Sequence, residues 1–232
     1  METLAILAGH GGKHSGCVAN GIVEKDLALA LARQLEVAIG ARDGLAVVQA
    51  RPEDTTIEVR DRGALTKGAD LVLLVHVNAI GKPHKARGLQ CYHWQDNLVG
   101  CAVATAICEA SPDALRRSKG FLWPTSRHDW RRDAHALLRV HKATAVLVEV
   151  GFTTDEADAA YLQTPEGQAA VVATIIKGLS VRFPVLAQPL PLALAVPPEG
   201  AVVETTEYMP EAKPEPEDAP KPRRKRHGRR SE

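Results

Sequence analysis

The sequence predicts an α/β domain built on a mostly parallel central sheet with helices on both faces. Three observations carry that expectation. Short apolar runs of strand length alternate with stretches of helical periodicity, the pattern of repeated β-α-β units. Three of the runs, at residues 4–9, 70–75 and 145–148, are apolar almost throughout, as strands covered on both faces are. Each then delivers a polar residue (His10, His76 and Glu149), which suggests one site at the carboxyl edge of an open sheet.

The first run, Leu4-Ala5-Ile6-Leu7-Ala8-Gly9, reads as a buried strand that ends in a tight loop. Glycines on both sides of His10 let the backbone turn sharply and let a ligand approach closely. A helix begins near Glu24, where Leu27, Leu31 and Leu35 recur every fourth residue with Ala28, Ala32 and Ala38 between them. Gly40 and Gly44 end it. Leu45 to Val48 is a second strand. Pro52-Glu53-Asp54-Thr55 resembles a helix start, followed by Ile57, Val59, Ala64 and Leu65, with Gly68 closing the helix before the strand at residues 70–75.

A polar loop with Gly81 and Pro83 follows His76. Leu89, Cys91 and His93 alternate with Gln90, Tyr92 and Trp94, which suits a half-exposed strand. Asp96 or Asn97 caps a helix that runs to Ala110, and Ser111-Pro112 stops it. Residues 113–134 are irregular and rich in Arg, Trp and His, and read as a long loop beside the site. Leu137-Leu138 suggests a short strand before the one at residues 145–148. Helices from about Asp155 and Pro165 complete the domain near Arg182.

Composition bounds the rest. The chain has 232 residues, enough for one sizeable domain and a tail, and its aromatics are only 4%, so aliphatic side chains and alanine must build the core. No apolar run reaches the roughly 18–20 residues of a membrane span. Cys17, Cys91, Cys101 and Cys108 lack CxxC spacing and read as reduced thiols. Proline is dense from Pro184 to Pro222, and the charges there are segregated, acids first and then Lys221 to Arg230. Such a segment buries too little apolar surface to offset its ordering entropy. The expected organisation is therefore a folded domain over residues 1–183 and a disordered tail over 184–232. Met1-Glu2-Thr3 offers no basic leader, so synthesis in the cytoplasm without a signal peptide is expected.

His10, Glu24 and His76 make a zinc set: two imidazoles and a carboxylate that leave a fourth position for water. Glu149 would be the general base. Each residue also has an ordinary reading. A strand-terminal histidine is commonly a hydrogen-bonded edge residue, and Glu24 suits the first turn of any helix. Glu149 is harder to explain away, because a carboxylate at the end of a buried strand costs several kcal/mol unless paired or functional. His14 and Cys17, lying between the first two members, read as loop residues. His128, Trp130, Arg131 and Arg132 could line the groove and hold peptide carboxylates, Arg being suited to planar pairing, or could form a solvated loop.

At these residues the sequence resembles the zinc-dependent N-acetylmuramoyl-L-alanine amidases of the amidase-3 type. The matching blocks are Gly9-His10-Gly11-Gly12 with Glu24-Lys25-Asp26, then Val75-His76-Val77-Asn78-Ala79, then Val148-Glu149-Val150-Gly151-Phe152. Arg51-Pro52-Glu53-Asp54, and Arg60 ahead of Ala64, fit the intervening pattern. The resemblance covers about residues 3–182. It implies Zn²⁺ bound by His10, Glu24 and His76, catalysis by Glu149, and substrate contacts from Asn78 and Arg60. It also implies cleavage of the amide between N-acetylmuramic acid and L-alanine in peptidoglycan. Leu7-Ala8 stands where the family often has Asp-Pro, Leu65 where Asn is usual and Thr144 where Pro is usual, but no ligand is removed.

Action on the cell wall after release from the cytoplasm follows, as for phage endolysins. Export by another route, or internal recycling of muropeptides, is the competing account. The basic terminus is expected to adhere to anionic envelope polymers or lipids rather than to a specific nucleic acid, and the protein to be a monomer. The alternatives in function are a zinc peptidase or deacylase of another substrate, and a non-catalytic wall-binding module.

Overall fold

A computed structural model of the chain describes residues 1–40, 42–81, 86–115, 138–141 and 143–188, and the backbone of 122–125. In chain order the elements are β1 (Glu2–Ala8), β2 (Val18–Ala19), β3 (Ile22–Val23), α1 (Glu24–Gly40), β4 (Leu45–Gln49), α2 (Val59–Leu65), β5 (Leu71–Asn78), β6 (Gln90–Trp94), α3 (Leu98–Ala110), β7 (Leu122–Thr125), β8 (Thr144–Phe152), α4 (Glu156–Leu162) and α5 (Pro165–Leu179). Six strands form one sheet in the order β4-β1-β5-β8-β6-β7, while β2 and β3 form a small hairpin. All neighbours in the large sheet run parallel except β6 and β8. The expected α/β class is the observed one.

Period-two alternation assigns the faces. Leu4, Ile6 and Ala8 of β1 join Leu71, Leu73 and Val75 of β5 in the larger core, against Leu31 and Leu35 of α1, Ile107 of α3 and Ile175 of α5. Ala5, Leu7, Val72, Leu74, Ala145 and Leu147 point the other way, into a smaller core closed by Tyr92 and Leu138. Each aliphatic side chain fully buried here contributes about 1.5–3 kcal/mol, which explains why the central strands read as continuous apolar runs. Three helix starts, those of α3, α4 and α5, are capped by side chains: Asn97 accepts from Gly100 N at 2.8 Å, Asp155 from Asp158 N at 3.0 Å, and Thr164 from Gly167 N at 3.0 Å.

Several local expectations are corrected. The helix expected from Pro52 begins only at Val59, because the polar groups at 51–56 bind the His10 loop rather than cap a helix: Asp54 accepts from Gly12 N at 2.7 Å and Thr56 from Lys13 N at 3.0 Å. Gln90 to His93 are buried rather than alternately exposed, since β6 lies between β8 and β7 and beneath α3. Within the expected 113–134 loop, β7 pairs in parallel with β6 from Cys91↔Leu122 to Trp94↔Thr125. Four residues containing a proline carry little strand signal, and the proline is tolerated because β7 is an edge. Residues 138–140 are helical, not extended.

At the far end, a 3₁₀ turn at Pro184–Ala187 buries Leu186, and Arg42 donates to the carbonyls of Val185 and Gln188. The described fold thus runs five residues beyond the expected boundary. Residues 189–232, including the tail expected to be disordered, lie outside the described residues. Among the described residues no helix is long and apolar enough to cross a membrane.

Candidate metal centre

The His10 loop leaves β1 in a conformation only glycines and a few strained residues adopt. His10 itself has φ 55°, with Gly11 at 121° and Gly12 at 56°. A left-handed non-glycine residue costs about 1–2 kcal/mol, so surrounding contacts must hold it. Gly9 is required by space: a Cβ there would lie 2.6 Å from the His76 ring. The β2–β3 hairpin then returns the chain to Glu24, the first residue of α1. Glu24 is 6% exposed at its side chain and is anchored from both sides. Its Oε2 accepts from Cys17 N at 2.9 Å and its Oε1 from Val77 N at 3.2 Å.

Three elements thereby converge. His10 Nε2 and His76 Nδ1 each lie 3.1 Å from Glu24 Oε1. The two rings meet edge to face with centroids 5.2 Å apart. One ligand atom from each of His10, Glu24 and His76 lies within 4.8 Å of the others. Burial opposes the Glu24 carboxylate, but hydrogen bonds from the two histidines outweigh it and hold its pKa well below the usual range. Burial pushes the His76 pKa down despite Glu24, so the ring is neutral, the form that binds metal. His76 Nε2 is buried with no hydrogen-bond partner. Two imidazole donors, one ionised carboxylate and a buried orphan nitrogen on His76 fit a catalytic zinc set.

Glu149 stands opposite His76 in the β5–β8 register. Partners across parallel strands share a face, here the one that carries Leu74 and Leu147. Its Oε2 is buried and has no hydrogen-bond partner. Burial pushes its pKa well up, and the neighbouring Glu24 charge adds to the effect. Such a displaced carboxylate beside a metal-ligand cluster is a functional-site signal. It lies within β8 rather than at its end, because the strand continues to Phe152.

Asn78 ends β5, past an irregularity in the β5–β8 register. Its amide donates to Gln90 Oε1 at 3.0 Å and accepts from Ala79 N at 2.8 Å. Arg60 is 84% exposed on α2, with its guanidinium 3.7 Å from Asp61. His14 is partly exposed near Glu58, outside the cluster. Cys17 borders the centre, and burial, then Glu24 and Glu149, pushes its thiol pKa up. His128, Trp130, Arg131 and Arg132 lie outside the described residues.

Sequence reading missed the role of Arg62, which is buried while Arg60 is not. Two residues apart on a helix, they point to nearly opposite sides. Arg62 donates to His10 O at 2.8 Å and to Ala8 O at 3.2 Å. Beside it, His141 is buried and shares a 2.7 Å hydrogen bond with Thr66 Oγ1. Burial first, then Arg62, pushes the His141 pKa down to about 4. The unfolded chain would take up that proton near the ordinary value of about 6.5, so the neutral folded form loses stability as pH falls from about 6.5 to about 4. The loss is at most about 3 kcal/mol. Melting temperature should therefore fall more steeply across that window in the native chain than in His141→Asn, and parallel curves would refute the assignment.

With fold and cluster placed, comparison with known proteins decides the family. The sequence profile of the N-acetylmuramoyl-L-alanine amidases matches residues 4–181. The chain belongs to this family. Among relatives of this amidase-family chain, N-acetylmuramoyl-L-alanine amidase LytC of Bacillus subtilis is 29% identical over 164 residues, covering 70% of this chain and 32% of that protein. The Staphylococcus aureus protein named "Probable cell wall amidase LytH" is 28% identical over 185 residues, 78% of this chain and 58% of that one. The chain thus spans a third to somewhat over half of the length of these relatives. The solved catalytic domain of CwlV, an N-acetylmuramoyl-L-alanine amidase from Bacillus (Paenibacillus) polymyxa var. colistinus, superposes with a TM-score of 0.68 at 25% identity. That match covers 80% of this chain and 99% of the domain.

Proposed function

We propose that this chain hydrolyses the amide joining N-acetylmuramic acid to L-alanine in peptidoglycan, using Zn²⁺ held by His10, Glu24 and His76. The observation that carries the reading is the convergence of those three side chains beside Glu149, whose Oε2 is buried without a hydrogen-bond partner, in a chain of this family. When bound, zinc supplies Lewis acidity, polarising an amide carbonyl and lowering the pKa of water to about 7.

The remaining work falls to the chain. Glu149, with one oxygen free of competing partners, takes a proton from the attacking water and hands it to the L-alanine nitrogen as the C–N bond breaks. The products are a lactyl carboxylate on the glycan and a free stem-peptide amine. Burial raises the Glu149 pKa, which strengthens the carboxylate as a base toward that water. Asn78 is assigned to the substrate side of the centre, with its amide oriented by Gln90, and exposed Arg60 to a peptide carboxylate. The basic segment Lys221 to Arg230 is assigned to anionic wall or membrane polymers. The cell wall is the site of action.

The test is incubation with peptidoglycan sacculi, with and without a chelator, and mass analysis of the soluble products. Stem peptides with an unblocked L-alanine amine are expected, lost on chelation and restored by zinc. Intact sacculi beside a protein holding one equivalent of zinc would favour a peptidase or deacylase of another substrate. Intact sacculi that bind the protein without zinc would favour a wall-binding module. In the same assay, truncation after Gln188 should weaken sacculus binding in a salt-dependent way and spare soluble muropeptide turnover. Unchanged binding would sink the tail assignment.

A further inference from the structure

We propose that Arg51 and Arg62 are positioning residues for the metal centre: their guanidiniums hold the carbonyls that keep His10 in its left-handed conformation, and metal affinity depends on that hold. The inference rests on the reading of His10 as a metal ligand. The geometry extends along the whole loop. Ala8 O accepts from Arg51 Nε at 3.3 Å and from Arg62 Nη1 at 3.2 Å, and Gly9 O accepts from Arg51 Nη2 at 3.0 Å. His10 O accepts from Arg62 Nη2 at 2.8 Å, Gly11 O from His14 N at 3.1 Å, and Gly12 O from Lys25 Nζ at 3.1 Å. Every carbonyl from Ala8 to Gly12 is therefore held, and all but one accept from a cationic side chain.

Arg51 also ties this loop to the helix that carries Glu24. It is fully buried, and its Nη2 donates to Lys25 O at 3.0 Å as well as to Gly9 O. One guanidinium thus fixes the backbone beside two ligands from different elements. Its aliphatic stem fills the space a side chain at Gly11 would need, with a Cβ there falling 2.9 Å from Arg51 Cδ. Arg62 reaches the same loop from α2, on a separate part of the chain. Outer partners that orient ligands commonly govern metal affinity. Here the oriented group is the ligand's own backbone rather than the far nitrogen of its ring.

A competing effect gives the test its sign. Buried guanidiniums near a divalent cation repel it, so if their charge dominated, removing Arg62 would tighten metal binding. If carbonyl pinning dominates, removal weakens it.

The experiment is zinc competition against a chromophoric chelator on the metal-free full chain, with the absorption spectrum of the Co²⁺-loaded protein as a second readout. Arg62→Met is expected to weaken zinc binding about 10–100-fold and to alter the cobalt spectrum. Arg62→Lys, which keeps the charge but not the fork, should recover part of the affinity. Thr66→Val, which breaks the neighbouring bond to His141, should lower the melting temperature and leave both readouts unchanged. Unchanged or tighter zinc binding in Arg62→Met, with the native cobalt spectrum, would overturn the proposal while leaving the centre intact. If Arg62→Met does not fold, Arg62→Lys decides: affinity several-fold below native supports the proposal, and native affinity overturns it. A native chain that binds no zinc would defeat the reading of the centre itself, and the inference with it.

Discussion

Glu149→Gln is expected to reduce turnover of peptidoglycan by about 10²–10⁴-fold, the usual worth of a positioned general base, while zinc content stays near one equivalent. The substitution keeps the shape of the side chain and removes only its capacity to take a proton. Glu149 is not in the His10–Glu24–His76 cluster, so the metal should be retained. The metal-free protein carries a second signature. Burial, reinforced by Glu24, raises the Glu149 pKa above its unfolded value. The folded state therefore favours the protonated carboxyl, and stability falls as pH rises from the unfolded carboxyl value through the folded one. Glutamine has no such cost, so metal-free Glu149→Gln should melt above metal-free native chain at neutral pH. Retained turnover would remove Glu149 from the mechanism. A matched or lower melting temperature would contradict the burial argument.

His76→Ala should abolish both stoichiometric zinc binding and turnover. The affinity loss should exceed the about 10–100-fold that follows loss of an outer partner, because a ligand itself is gone. The variant also leaves Glu24 Oε1 without one of its two imidazole partners, the other being His10 at 3.1 Å. A carboxylate that is 6% exposed and has lost such a partner is expected to shift its pKa upward toward the ordinary range. Zinc content by atomic absorption after gel filtration, set beside the sacculus digest, checks the prediction. One equivalent of retained zinc would place the metal elsewhere, and the His10–Glu24 arrangement would need another explanation.

The sequence by itself determined the fold class and the identity of the cluster. Strands buried on both faces must be apolar throughout, so β1, β5 and β8 were legible, and polar residues within or just beyond such runs stand out as costly unless used. His10 and His76 follow such runs and Glu24 opens the first helical pattern, where the family resemblance implies ligands; spread over 66 positions of the chain, the three bring one ligand atom each to within 4.8 Å of the others. What only tertiary structure decided is what holds them. Arg60 and Arg62 are equivalent as letters, yet helix phase exposes the first and buries the second against the His10 loop. Pro52 to Thr55 carry the signs of a helix start, but the Asp54 carboxylate is committed to Gly12, 42 positions away, and to Lys25, 29 positions away. β7 gave no strand signal, because a four-residue edge strand draws its stability from its neighbour rather than from its own composition. Periodicity records how each residue meets the core. It does not record long-range polar partners, because a hydrogen bond between Arg62 and a carbonyl fifty-two positions away leaves no repeat in the chain.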